Sequence, residues 1–174
     1  FLNYLKDLKF TGNIKSMQEG EICFGNEPLL RVEAPLIQAQ LIETILLNII
    51  NFQTLIATKA SRIRQIATHD TLMEFGTRRA QEIDAALWGA RAAFIGGFDS
   101  TSNVRAGKLF NIPVSGTHAH ALVQTYGDEY IAFKKYAERH KNCVFLVDTF
   151  HTLKSGVPTA IKVAKELGDT INFI

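Results

Sequence analysis

Hydrophobic residues recur every three to four positions along a long early segment of the chain, after a shorter β-like stretch. The β-like stretch covers residues 10–34, where the apolar runs Ile22–Phe24 and Leu29–Val32 flank a turn signal. Pro35 then opens a predicted helix that extends to about Ala67. Glutamine and asparagine side chains interrupt its apolar run, which a bilayer core tolerates poorly. We therefore expect a buried helix of a soluble domain.

Beyond the long helix, short apolar runs alternate with helical periodicity. The predicted strands are Leu72–Phe75, Ala93–Gly97, Ile112–Val114, Val144–Val147 and Ile171–Ile174. The predicted helices are Ala80–Ala93, Val104–Phe110, Ala119–Gln124, Glu129–Lys141 and Pro158–Leu167. Such alternation predicts an α/β fold with parallel strands and crossover helices. We assign residues 1–60 to part of an N-terminal domain that contains the long helix, and residues 61–174 to part of an α/β barrel.

Composition and charge narrow the class of protein. The chain has 174 residues, of which 47% are hydrophobic and 21% charged, with a net charge of +2. Disordered chains are less apolar, and nucleic-acid binding usually needs a basic patch that is absent here. Two distant cysteines, Cys23 and Cys143, fit a reducing compartment, so we expect a cytoplasmic protein. Because the first residue is not Met and the chain stops in an apolar run, we expect a partial sequence.

Polar, glycine-punctuated loops follow the predicted strands. They lie at Phe75–Arg79, Asp99–Asn103, Thr117–His120 and Asp148–Gly156. In α/β proteins ligands bind where strands end and loops begin. Four such loops in succession predict donors, cations and an acid on one face of the molecule.

The arginine pair in the first loop has two interpretations. Arg78 and Arg79 precede a predicted helix, where a cation opposes the helix dipole, so anion binding is the favoured function. The alternative is a solvated helix start, with one arginine paired to Glu74 or Glu82.

His118 and His120 suggest a metal site, but no third ligand stands at a typical metal spacing. At a helix start the two side chains point in nearly opposite directions. One neutral imidazole there can act as a base or accept a phosphoryl group. The alternative is a hydrogen-bonded structural histidine, which is favoured for His69 and His140.

The other two loops also carry alternatives. Ser100 and Asn103 belong to a hydroxyl-rich run that predicts hydroxyl or phosphate contacts, although helix capping explains part of it. Asp148 ends a predicted strand, where an acid can hold Mg²⁺ or ribose hydroxyls. A simple ion pair between Asp148 and Lys154 is the alternative.

Together these loops resemble the nicotinate phosphoribosyltransferase family, which belongs to the type II phosphoribosyltransferases. The motifs that carry the resemblance are E-F-G-T-R-R-A-Q at Glu74–Gln81, G-G-F-D-S-T-S-N-V-x-A-G at Gly96–Gly107 and I-P-V-S-G-T-H-A-H at Ile112–His120. Segments Glu19–Leu36 and Asn51–Ala60 also match. The matches follow the family's order over nearly the whole chain.

The resemblance implies a reaction and a set of residue roles. Nicotinate and phosphoribosyl pyrophosphate would give nicotinate mononucleotide and pyrophosphate, with Mg²⁺ and coupled hydrolysis of ATP, towards NAD. By motif position, His120 would be the phosphohistidine. Phe75 would stack on the pyridine ring beside Arg78, Thr117 would contact nicotinate, and Asp148 would lie near pyrophosphate and Mg²⁺. The implied fold is an irregular α/β barrel preceded by part of a β-containing N-terminal domain. The implied assembly is a homodimer with sites at the subunit interface.

One departure from the family pattern concerns His151, which stands where many relatives carry an acid. Later family motifs are also missing, so we expect this chain to be inactive alone. The alternative functions are a nicotinamide- or quinolinate-using phosphoribosyltransferase and a non-catalytic α/β protein that binds a phosphorylated ligand. We expect neither a nucleic acid nor a membrane as a partner.

Overall fold

A computed structural model describes residues 1–141 and 143–168, which divide into two compact units. The first unit is Phe1–Val114, and the second begins at Ser115. The first contains helices α1 (Leu2–Lys6), α2 (Leu36–Ile66), α3 (Ile83–Ile95) and α4 (Val104–Phe110), with strands β1 (Asn13–Ser16), β2 (Leu30–Glu33), β3 (Met73–Glu74) and β4 (Ser100–Thr101). The second contains helices α5 (His120–Tyr126), α6 (Glu129–Arg139) and α7 (Val157–Leu167). The predicted domain boundary near residue 60 stays a prediction.

The first unit opens with an antiparallel pair of strands, β1 and β2, in which Ile14 faces Val32. The predicted β character of residues 10–34 is therefore confirmed, but Ile22–Phe24 is not a strand. Gln38, near the start of α2, is buried and accepts a hydrogen bond from the Thr11 backbone N–H at 2.9 Å. This bond joins the long helix to the strand pair.

Helix α2 matches the predicted helix within one residue at each end, but the prediction that it is buried is wrong. Of its 31 residues only Gln38 and Ala60 are buried, and many of its apolar side chains are exposed. Helical periodicity reports a repeating apolar face and does not require that the chain itself supply the partner for that face. By length and apolar composition α2 could also span a membrane. However, Gln53 accepts a hydrogen bond from Arg91 of α3, an arrangement typical of packing within a domain.

Of the predicted strands, Leu72–Phe75 and Ile112–Val114 are present in part, in short parallel pairings with Ser100–Thr101, which was not predicted as a strand. Met73 pairs with Ser100 and Glu74 with Thr101 in parallel register, and Val114 forms an isolated parallel bridge to Thr101. The prediction of a strand at Ala93–Gly97 is wrong, because α3 continues to Ile95. Small residues let α3 pack closely on α2: a methyl group on Gly96 would lie 2.5 Å from the Ala57 carbonyl oxygen.

The second unit packs α5, α6 and α7 around an apolar core. Its buried members are Val123, Ala132, Phe133, Cys143, Phe145, Ala160, Val163 and Ala164. The Phe133 and Phe145 rings stack with their centroids 4.8 Å apart. The prediction of a strand at Val144–Val147 is wrong, because the Leu146 N–H donates to a histidine side chain and not to a neighbouring strand. The predicted strand Ile171–Ile174 lies outside the described residues.

Candidate active site

The loop after β3 presents an aromatic ring and two cations to solvent. Phe75 is 46% exposed, and Arg78 and Arg79 lie in a single 3₁₀ turn, Thr77–Arg79, where both are exposed. In the part of the chain that the structure describes, neither arginine forms an ion pair. An ion pair with Glu74 or Glu82 therefore does not explain the position of the two arginines.

Glu74 has a structural role instead. One of its carboxylate oxygens accepts a hydrogen bond from the Thr101 hydroxyl at 2.7 Å, and the other accepts the Gly76 N–H. These bonds connect the end of β3 to β4 and to the turn that carries Arg78. Glu74 thus orients the loop of the candidate site and is not available to the arginines.

Asp99, in the next polar loop, also supports the fold. It accepts a hydrogen bond from the Leu72 N–H at 2.7 Å and pairs with the Arg64 guanidinium at 2.5 Å. The Leu72 bond, followed by the Arg64 contact, holds the pKa of this carboxyl below its ordinary value. Arg64 further donates to the Gly97 carbonyl at 2.7 Å. The C-terminal end of α2 is therefore tied to the loop before β4.

The hydroxyl-rich run contains a helix-capping residue, Asn103, and a buried serine, Ser100, with no hydrogen-bond partner for its hydroxyl among the described residues. The Asn103 side-chain oxygen accepts the Ala106 N–H at 3.1 Å and caps α4, and the Thr101 hydroxyl accepts the Asn103 N–H at 3.0 Å. Ser100 is buried, and its Oγ has no hydrogen-bond partner among the described residues. The capping alternative is thus confirmed for Asn103, while substrate contacts by Ser100 and Asn103 stay predictions.

His118 is a core residue of the second unit. It is 6% exposed, its Nε2 accepts a hydrogen bond from the Leu146 N–H at 3.0 Å, and its ring packs against Phe133 and Tyr136. Burial is the main cause that lowers its pKa below the ordinary value of 6.5. Replacement of His118 would leave the Leu146 N–H without this acceptor, so the side chain supports the core of the second unit.

His120, two residues further, is exposed and faces two polar groups from one loop. Its Nε2 lies 3.7 Å from Asp148 Oδ1, and its Nδ1 lies 3.1 Å from Thr149 Oγ1. The side chains of His120 and Asp148 are 49% and 58% exposed. An incoming ligand can therefore reach both side chains. Asp148 lies beside His120, and not beside Lys154 as the ion-pair alternative predicted.

The loop that carries Asp148 is closed by two contacts that the sequence did not reveal. His151 accepts the Lys154 N–H at its Nδ1, 3.2 Å away, and so caps the π-helical turn Thr152–Gly156. A side chain on Gly156 would overlap the Val147 carbonyl oxygen, so the two backbone segments touch. His151 therefore has a backbone-capping role, which accounts for it without a metal.

Thr117 makes a hydrogen bond to the neighbouring backbone. The half-buried Thr117 donates its hydroxyl to the His118 carbonyl at 2.9 Å, and its role towards nicotinate stays a prediction.

A groove of about 590 Å³ runs between β2 and α2 and is lined largely by apolar side chains, including Val32, Ile42 and Leu46. It lacks the cationic donors that anionic substrates need and contains none of the predicted site residues.

Family models and relatives agree with the motifs. The model of the nicotinate phosphoribosyltransferase N-terminal domain matches residues 1–51, and that of the nicotinate phosphoribosyltransferase family matches residues 71–156. A nicotinate phosphoribosyltransferase of Bacillus subtilis is 74% identical over 159 residues, which are 91% of this chain and 32% of that relative. One from Mycobacterium tuberculosis is 41% identical, over 97% of this chain and 36% of that relative.

Solved structures agree as well. The crystal structure of human nicotinic acid phosphoribosyltransferase has a TM-score of 0.84 at 30% identity, over 99% of this chain and 45% of that one. A nicotinate-nucleotide pyrophosphorylase from Pyrococcus furiosus has a TM-score of 0.83 at 33% identity, over 93% and 41%. The predicted α/β fold class is confirmed. The chain spans about a third of the length of the first curated relatives, and it belongs to the nicotinate phosphoribosyltransferase family.

Proposed function

We propose that the protein is a nicotinate phosphoribosyltransferase, of which this chain supplies part of the active site. The reaction would join nicotinate to the ribosyl group of phosphoribosyl pyrophosphate and release pyrophosphate, with coupled ATP hydrolysis, in NAD biosynthesis. The observation that carries the proposal is the pairing of two exposed groups, His120 and Asp148, 3.7 Å apart, within a motif that matches this family. The chemistry of these groups suits the coupled phosphoryl transfer.

His120 would accept the terminal phosphoryl group of ATP. A ring nitrogen with a free lone pair attacks phosphorus, ADP leaves, and water later breaks the P–N bond to return the imidazole and inorganic phosphate. The ring must be accessible and held in place, and His120 meets both requirements through its exposure and its two neighbours. Added negative charge beside the pyrophosphate position would then alter the affinity for the anionic substrates.

Asp148 would hold Mg²⁺ together with the pyrophosphate oxygens. No three His, Cys, Asp or Glu side chains converge as a metal site within residues 1–141 and 143–168. A single exposed carboxylate fits Mg²⁺ nevertheless, since this ion commonly binds one or two carboxylates plus substrate phosphates and keeps several waters. When bound, Mg²⁺ would neutralise charge on the departing pyrophosphate.

Nicotinate would bind through Phe75 and Arg78. An exposed aromatic ring offers a stacking face for the pyridine, and an unpaired guanidinium can fork onto its carboxylate. Thr117, Ser100 and Asn103 would add polar contacts to the substrates. We also propose a cytoplasmic homodimer, with the remaining site residues supplied by other parts of the full-length protein and its partner subunit.

The test uses full-length protein with radiolabelled ATP, nicotinate and phosphoribosyl pyrophosphate. We expect acid-labile phosphate on the wild type and on His69→Asn, a matched exposed histidine, and none on His120→Asn. His120→Asn should also uncouple ATP hydrolysis from nucleotide synthesis. Label that persists in His120→Asn would overturn the role of His120. Faster turnover of nicotinamide or quinolinate than of nicotinate would overturn the proposed substrate.

A further inference from the structure

We infer that Thr101 is a positioning residue for the proposed nicotinate site, because its hydroxyl holds Glu74 and, through Glu74, the turn that carries Arg78. The inference deepens the proposed function and rests on it, since it concerns the arginine that would bind the nicotinate carboxylate. The family resemblance assigns no role to Thr101. A chain of hydrogen bonds that joins two loops of the candidate site passes through this hydroxyl and carries the inference.

The direction of each hydrogen bond in this chain follows from the groups involved. The Thr101 hydroxyl lies 2.7 Å from one carboxylate oxygen of Glu74, and the Asn103 backbone nitrogen lies 3.0 Å from the hydroxyl oxygen. A backbone N–H can only donate and an ionised carboxylate can only accept, so the hydroxyl accepts from Asn103 and donates to Glu74. The other Glu74 oxygen accepts the Gly76 N–H. One hydroxyl therefore connects the loop that follows β4 to the turn that follows β3.

The backbone holds Thr101 in place for this contact. Thr101 is fully buried, its N–H donates to the Pro113 carbonyl at 3.0 Å, and it pairs with Glu74 across the two parallel strands. The Ser102 N–H donates to the Glu74 backbone carbonyl at 2.9 Å, so the backbone of Glu74 is held as well. Branching at Cβ restricts the rotation of the Thr101 side chain, so its hydroxyl loses little freedom when it bonds to the carboxylate.

The same contact keeps the Glu74 carboxylate from the neighbouring arginine. Arg78 is exposed, follows Glu74 by four residues and forms no ion pair within the described part of the chain. Both Glu74 oxygens already have a donor. Without the Thr101 hydroxyl, one of them would be free to pair with the guanidinium and would compete with the carboxylate of nicotinate. Thr101 therefore acts on the binding of an anionic pyridine.

Steady-state kinetics of full-length variants test this role. Thr101→Val removes the hydroxyl at nearly constant volume and should raise the KM for nicotinate about tenfold, as expected for one lost hydrogen bond, with kcat within about twofold of the wild type. Thr101→Ser retains the hydroxyl and should keep KM within about twofold. The control is Thr125→Val, because the Thr125 hydroxyl is exposed and donates within α5 to the Ala121 carbonyl. It should leave KM and kcat unchanged.

Two further measurements separate positioning from a general loss of structure. Phosphorylation of His120 by ATP concerns a residue of the second unit, so its rate in Thr101→Val should stay within about twofold of the wild type. Amide hydrogen exchange should become about tenfold faster at Gly76 in this variant, because the carboxylate that accepts its N–H is no longer held by Thr101. Thr101→Ser should restore the slow exchange.

The inference is overturned by an unchanged KM or an unchanged Gly76 exchange rate in Thr101→Val. A Thr101→Val variant that loses kcat and His120 phosphorylation to the same extent would also overturn it, because the role of Thr101 would then be structural alone. If the wild type does not convert nicotinate, the proposed function fails. Gly76 exchange in the wild type and in Thr101→Val still decides in that case whether Thr101 holds the turn, so the two failures are distinguishable.

Discussion

The loop after β3 and the loop beside His120 hold their charged groups in opposite ways. Arg78 and Arg79 have no ion-pair partner among the described residues, whereas His120 faces both an acid and a hydroxyl. Free guanidinium groups can bind an anion without first breaking a protein contact. A catalytic imidazole instead needs its ring fixed beforehand. The first loop thus has free cations that suit anion binding, and the second has a histidine whose ring is already in contact with two polar groups, as the proposed function requires.

The largest expected effect comes from disturbing the fixed loop. Gly156→Ala places a methyl group against the Val147 carbonyl oxygen and should displace the segment that precedes Asp148. Because misplacement of about 1 Å can cost about 100-fold in rate, we expect phosphorylation of His120 to fall by about that factor. Overpacking should also lower the free energy of unfolding by about 1–3 kcal/mol, measured by denaturant titration of full-length protein.

The control for this prediction is Gly25→Ala, since no atom lies within 4 Å of a side chain added there and its φ is not positive. Its free energy of unfolding should stay within about 0.5 kcal/mol of the wild type. A Gly156→Ala variant with wild-type rate and stability would show that the contact between Gly156 and Val147 does not fix the loop.

A smaller effect is expected from the binding loop. Arg78→Lys retains the charge but loses the planar fork, so the KM for nicotinate should rise about tenfold with little change in folding stability. Arg31→Lys is the matched control, because Arg31 is exposed and its ion pair among the described residues is with Glu33 of the same strand. Steady-state kinetics of the full-length variants measure both. An unchanged KM for Arg78→Lys would make Arg78 a surface residue of the turn and remove the contrast between the loops.

The smallest expected effect concerns acid stability. Since burial lowers the pKa of His118 in the folded state, the unfolded state binds more protons below the ordinary value of 6.5. The contribution of His118 is therefore present above about pH 6.5 and is lost as the pH falls towards the folded-state pKa. The melting temperature should drop by a few degrees more in the wild type than in His118→Gln between about pH 7.5 and 5.5. Equal drops in both proteins would contradict this assignment.

Hydrophobic periodicity predicted where the helices lie better than it predicted their burial or the contacts they make. The extent of α2 follows from local spacing, but its exposure depends on which surfaces are available to pack on it. Residues 93–97 form a short apolar run like a strand, yet α3 continues to Ile95 and the chain packs closely on α2 at Gly96. Val144–Val147 has β-like composition, but the His118 side chain takes the backbone donor of Leu146. These outcomes depend on tertiary contacts with distant residues, which a short stretch of sequence does not reveal.

For the candidate site as well, the sequence predicted residues by position but did not predict the contacts that they make. Family motifs predicted His120 and Asp148 as site residues, and the structure places their side chains 3.7 Å apart, while their roles stay predictions. Other polar residues of the same loops proved to support the fold: Asp99 binds Leu72 and Arg64, and Asn103 caps a helix. Residue type cannot separate these roles, because carboxylates and amides serve caps and ligands with the same atoms. Thr101 lies within a matched motif, but only its hydrogen bonds to Glu74 and Asn103 reveal the link between the two loops.

The close approach of Gly156 to Val147 also bears on how this segment can vary among homologues. Residues 148–155 form a loop whose two ends meet, so a change inside it need not propagate to the rest of the second unit. For a closed loop, the entropy cost of extra length grows slowly, and insertions near its tip should be tolerated thermodynamically. Replacement of His151 by an acid is compatible with this loop, because a carboxylate can also accept the Lys154 N–H that His151 caps. Natural variation is therefore expected to concentrate at residues 150–154, while Val147, Asp148 and Gly156 stay constant.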